Sequence, residues 1–133
     1  MCEDTAIIFQ LAYNCSTIGY IYDYLYYYIY RPESTSTARD TKEKFDQIKQ
    51  NVDQVLSFLE EKGLTDKYAR NIVRFKCWAK STAFNLPRKY YVRAYPEVNF
   101  SFLLDKRRPL MERMGHLTKL LGIHGLSKLF RKR

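Results

Sequence analysis

The hydrophobic pattern changes period twice along this chain. From Asp4 to Asn14, Ala6, Ile7, Phe9, Leu11 and Ala12 leave little room for polar residues, and this predicts a buried helix. Glu3 and Asp4 fall in its first turn, where the helix dipole favours acids. Ile18–Tyr22 and Leu25–Tyr30 are β-branched and aromatic, which predicts two short strands joined by a tight turn at Asp23-Tyr24. Residues 31–39, rich in Ser and Thr around Pro32, read as a loop. The helical period then returns. Asp40 is placed to cap a helix with Glu43 completing a capping box, and Phe45, Ile48, Val52, Val55, Leu56 and Leu59 recur on one face until Gly63. Thr65 is the expected cap of a second helix carrying Tyr68, Ile72, Phe75 and Ala79 on one side and running to Asn85, so that the two form an antiparallel hairpin. Shorter helical pieces broken at Pro96 should fill 88–104, and Pro109 starts a last helix. In that helix Leu110, Met114, Leu117 and Leu121 recur at helical spacing, followed by Ile123, Leu126, Leu129 and Phe130.

The predicted class is therefore α+β and mostly α-helical, in three parts. Residues 1–39 carry the first helix and the hairpin, 40–104 a helical extension, and 105–133 a basic amphipathic tail. At 133 residues with 46% hydrophobic content, the chain fits one globular unit or part of a larger one. Its net charge of +9 is concentrated at the end: residues 105–133 hold nine Lys and Arg against two acids, leaving only +2 for the first 104. A basic end on a balanced body points to an anionic surface. Arg107, Arg108, Lys119, Lys128, Arg131 and Lys132 are the candidate contacts, with the leucines inserted and the cations at lipid headgroups. The competing reading packs the same leucines on the body and leaves the charges in water.

Several chemistries are not supported. Cys2, Cys15 and Cys77 are odd in number and irregularly spaced, which reads as reduced thiols in a cytoplasmic protein, small and buried, not as a disulfide framework or zinc site. His116 and His124 have no ligand-spaced neighbours, so no metal site is expected in this chain. No secretory leader and no run of apolar residues long enough to span a bilayer is legible. Tyrosines and cations are not interleaved as a single-strand groove needs, and nucleic acid is not an expected partner. Trp78 reads as packing.

The chemistry that is legible lies in the first third. A carboxylate in the first turn of a helix is held ionised by backbone N–H groups and can accept a proton. Seven of the twelve tyrosines lie between Tyr20 and Tyr30, and aromatic faces of that kind either stack on sugar rings or pack a sheet. The ordered series Glu3-Asp4, Phe9-Gln10-Leu11-Ala12-Tyr13, Ile18-Gly19-Tyr20-Ile21, Leu25-Tyr26-Tyr27-Tyr28-Ile29-Tyr30 and Arg31-Pro32-Glu33-Ser34 resembles the C-terminal part of bacterial family 2 glycosyltransferases. The motif resemblance covers residues 2–36. It implies a GT-A-like fold of which 1–39 is an edge, and inverting transfer from a nucleotide-sugar to a saccharide or lipid-linked acceptor in cell-surface polysaccharide synthesis. Asp4 would then be the catalytic base with Glu3 beside it, and Tyr28, Arg31 and Ser34 would lie near the substrates. The family's donor-binding half and its metal-binding Asp-x-Asp motif would stand upstream of Met1, and no Asp-x-Asp occurs in this chain. Mg or Mn is thus expected of a full-length relative and no cofactor of this chain, which alone should be inactive. The location implied is cytoplasmic, peripheral on the inner face of the plasma membrane. The alternative is a non-enzymatic helical module that binds an anionic membrane or a protein partner through its basic tail.

Overall fold

A computed structural model describes residues 3–27, 29 and 41–123. They are mostly α-helical. The elements in order are α1 (Glu3–Asn14), α2 (Lys42–Glu61), α3 (Ala69–Thr82), α4 (Arg88–Arg93), a 3-10 turn (Pro96–Val98), α5 (Asn99–Leu104) and α6 (Leu110–Leu121).

Helix α2 forms where its apolar period predicts, and it is the spine of the molecule. Phe45, Ile48, Val52, Val55 and Leu59 are all buried along one side. Its N-terminal cap is Thr41, whose side chain accepts from the Lys44 amide at 3.2 Å; Asp40, the expected cap, lies outside the described residues. At the far end Gly63 takes φ +64°, and the Leu64 amide returns to the Leu59 carbonyl at 2.8 Å, so the left-handed residue closes the helix. Turns occupy the next stretch, and α3 begins at Ala69 with Tyr68 as a cap that makes no side-chain bond, not at Thr65. It ends at Thr82, short of Asn85. As expected, α3 packs against α2.

Two connected clusters make the core. The larger joins Phe45, Ile48 and Val52 of α2 to Cys77, Ala79 and Ala83, and then to Tyr91, Ala94, Val98 and Phe102 from the short helices. The smaller joins Ala6 to Val55 and Leu59. Pro96 breaks the 88–104 segment as its missing N–H requires, with the preceding Tyr95 held at φ +44° while its hydroxyl donates to Asp53 Oδ1 at 2.7 Å. The C-terminal helix belongs to this body. α6 packs on α4 and α5, and its last turn is tied twice to the start of α4: Arg88 donates to the Leu120 carbonyl at 2.6 Å, and Lys119 to the Leu86 carbonyl at 2.8 Å. Gly122, at φ +75°, ends it.

Two expectations are corrected. The β-hairpin expected at Ile18–Tyr22 and Leu25–Tyr30 is not supported: among the described residues no strand is found, and residues 15–27 run without regular structure and with every side chain exposed, while Tyr28 and Tyr30 lie outside the described residues. A strand needs a neighbour for its N–H and C=O groups, and a lone two-stranded hairpin is marginal in water. The first helix is not buried either. Only Ala6 among its described side chains is covered, while Ile7, Ile8, Phe9, Leu11 and Tyr13 remain exposed.

Candidate functional site

The acids of the resemblance begin α1. At 3.6 residues per turn, Asp4, Ile8 and Leu11 share one side of this helix with Ile7 next to them, opposite Ala6, Phe9 and Tyr13. The second group faces the body: Ala6 is buried against Val55 and Leu59, Phe9 lies 6.1 Å from the Phe75 ring, and Tyr13 meets Phe58 edge-on at 5.4 Å. The first group faces outward. Asp4 is exposed, and Ile8 and Leu11 keep 60% and 59% of their surface, so the carboxylate stands at the head of an uncovered apolar stripe.

Beyond Asn14, whose side chain returns to the Gln10 carbonyl at 2.8 Å, the aromatic segment continues outward. Tyr20 and Tyr22 lie on the same side with ring centroids 5.4 Å apart, the i, i+2 relation of extended backbone. Tyr28, Arg31 and Ser34 lie outside the described residues, so Asp4 is the one sequence-predicted site side chain whose position on this end of the molecule is described. Glu3 is placed by its backbone at the helix start. Beneath α1, a groove of about 320 Å³ is lined by Phe9, Val55, Leu59, Ile72 and Phe75, and it is apolar except for Asn71, Arg74 and the Tyr68 hydroxyl.

Among the described residues no three His, Cys, Asp or Glu side chains gather as a metal site. The divalent metal implied by the resemblance finds no ligand set among them, and no chemical step of this chain is assigned to one. Cys77 is buried as expected, its thiol pushed up chiefly by burial, whereas Cys15 is exposed. Trp78 stacks parallel on Phe75 at 5.6 Å.

At the other end, the cations proposed for a membrane separate into two kinds. Arg107 is exposed and paired with Asp105 at 2.9 Å. Arg108 is turned inward, between Asp105 and Glu112 and 4.2 Å over the Phe102 ring, and Lys119 is half-buried on the Leu86 carbonyl. Lys128, Arg131 and Lys132 lie outside the described residues. No helix among the described residues is long and apolar enough to cross a membrane.

Sequence reasoning missed a buried polar group at the centre of the body. Lys80 is fully buried, and its ammonium donates to the carbonyls of Tyr91 and Ala94 at the end of α4; burial pushes it down to about 8, against the attraction of Glu97. Tyr91, also fully buried, hydrogen-bonds through its hydroxyl to His116 Nδ1. His116 is stacked flat on Phe102 at 4.1 Å, and its Nε2 has no partner of hydrogen-bond geometry. Burial lowers His116 to about 4, with the Lys80 charge adding to the effect and the Asn99 backbone opposing it. The ring is therefore held neutral, with Nδ1 in hydrogen bond to the Tyr91 hydroxyl. None of these atoms reaches solvent, so the cluster orders α3, α4, α5 and α6 and takes no part in chemistry at the surface. In the sequence Lys80 reads as an ordinary helix cation, and no spacing in it marks the carbonyls of Tyr91 and Ala94 that receive the ammonium. No family model, curated protein or solved structure matches the chain.

Proposed function

We propose that the chain is the C-terminal portion of an inverting glycosyltransferase of the family 2 type, with Asp4 as the base that takes the proton from the acceptor hydroxyl. The observation that carries this reading is the outward side of α1. There an exposed carboxylate in the first turn heads a stripe of uncovered apolar side chains, and the chain leads directly into an aromatic segment that has strand composition and no strand partner among the described residues. A sheet domain with its own nucleotide site would cover both surfaces and complete the constellation. In such a transfer, one ionised carboxylate beside the attacking oxygen is the minimum the chemistry requires, and general-base action is worth roughly 10²–10⁴ in rate. Tyr28, Arg31 and Ser34 remain the proposed substrate contacts, and the donor's diphosphate would be held by residues outside this chain.

The test is to translate the DNA upstream of the Met1 codon in three frames and express the joined protein. An adjoining frame with β-strand patterns and an Asp-x-Asp motif, and transfer from a nucleotide-sugar that Asp4→Asn lowers by about 10² or more with unchanged circular dichroism, supports the reading. Full turnover in Asp4→Asn removes Asp4 from the mechanism. A start codon with no such frame leaves the second reading, a non-enzymatic helical module, which the outward leucines of α6 favour.

A further inference from the structure

α6 is built inside out. Its positions turned to the body are Gly115, His116 and Thr118, all buried, with Glu112 and Lys119 bonded beside them. Its regularly spaced apolar residues fall on the opposite side. Leu110, Met114 and Leu121 keep 67%, 41% and 62% of their surface, and Leu117 lies between them. The neighbouring α5 does the same: Phe102 points in, while Phe100 and Leu104, one turn apart, are exposed. Arg113 fastens the two helices by donating to the Leu103 carbonyl. A soluble surface does not normally concentrate large apolar groups in this way.

We propose that this outward face of α5 and α6 is a docking surface for an anionic phospholipid bilayer. The charge around it favours an anionic surface over an uncharged one, and the exposed apolar side chains among the cations favour lipid over a purely acidic surface. Residues 105–123 hold five Lys and Arg and two acids, and both acids are already engaged, Asp105 with Arg107 and Arg108, and Glu112 with Arg108. Lys106 stands exposed just before the helix, beside the exposed but Asp105-paired Arg107. The sequence from 124 to 133 adds four cations and no acid. Apolar side chains flanked by a net excess of cations are what an interfacial helix needs: leucine and methionine enter the headgroup–acyl boundary while Lys and Arg meet lipid phosphates. The inference goes beyond the glycosyltransferase reading and stands or falls without it.

The experiment is flotation of the full chain with vesicles of phosphatidylcholine containing phosphatidylglycerol and with vesicles of phosphatidylcholine alone. Wild-type protein should float with the anionic vesicles, less as salt rises, and not with the neutral ones. The doubly substituted Met114→Glu/Leu121→Glu chain should lose at least about tenfold in vesicle affinity. Both side chains are exposed, so its circular dichroism and Tm should match the wild type. Lys106→Gln/Arg107→Gln, confined to the loop before α6, should lose about fivefold or more and show a flatter salt dependence. The proposal is overturned if wild-type protein ignores anionic vesicles, binds neutral ones equally well, or is matched by both variants. It is also overturned if sedimentation finds a lipid-independent dimer that the glutamates dissociate while vesicles capture neither form, since a second copy would then be the occupant.

Discussion

Replacing His116 by Phe should remove an acid sensitivity built into the core. The imidazole is fully buried, stacked on Phe102 and bonded to the Tyr91 hydroxyl, and burial holds it down at about 4. An exposed imidazole in the unfolded chain titrates near 6.5. As pH falls, the unfolded chain therefore takes up the proton first, so the stabilisation is complete above about 6.5 and is lost progressively until the folded ring also titrates near 4. Linkage puts the full difference at about 3 kcal/mol, of which about 2 kcal/mol disappears between about pH 7.5 and about pH 5. Carboxylates begin to titrate at the lower end of that window, but they do so equally in both proteins. Urea unfolding of wild type and His116→Phe at the two pH values therefore isolates the ring: the wild type should lose about 2 kcal/mol more than the variant. The absolute stability of the variant is a separate matter, because a phenyl ring keeps the stack on Phe102 but leaves the Tyr91 hydroxyl without its partner, at about 1–3 kcal/mol. Equal pH dependence in the two proteins would mean that His116 is accessible in the folded state, and the buried-cluster argument would fail.

Other consequences are open to equally direct measurement. Phe102→Ala empties the space between His116 and the Arg108 guanidinium and should cost about 3–5 kcal/mol in urea unfolding; a loss under about 1 kcal/mol would mean that α5 does not close the core. Gly63→Ala forces a Cβ into the left-handed region in otherwise open space and should cost about 1–2 kcal/mol, with no change in the far-ultraviolet spectrum. An unchanged Tm would show that the turn after α2 takes another conformation.

Much of the helical plan was legible because helix signals are local. Hydrogen bonds from residue i to i−4, an apolar period of 3.6, a left-handed Gly63 and the breaks at Pro96 and Pro109 can all be read within a few residues. The body from 42 to 121 follows that plan with shifts of one to three residues at the ends, as with the caps Thr41 for Asp40 and Tyr68 for Thr65. Strand composition at 18–30 was equally visible, but a strand is completed only by another strand, and the described residues supply none. For the same reason Asp4 was legible as a carboxylate in a first turn, while what meets it depends on the side of α1 that the described residues leave uncovered.

The sequence by itself determined which segments of 42–121 are helical, to within a few residues at their ends, and that α6 has one apolar and one polar side. It did not determine which side turns inward. That choice came from the neighbours: the Phe102 ring offers a flat face to His116, the Tyr91 hydroxyl is the hydrogen-bond partner of its Nδ1, and Leu86 offers a carbonyl to Lys119. Polar groups satisfied in this way can be buried beside the core, and Leu110, Met114 and Leu121 are left outside. Lys80 follows the same logic, since its burial rests on carbonyls eleven and fourteen residues further along the chain. Periodicity records that a face exists; only the tertiary packing, by pairing or failing to pair each polar atom, decides what that face meets.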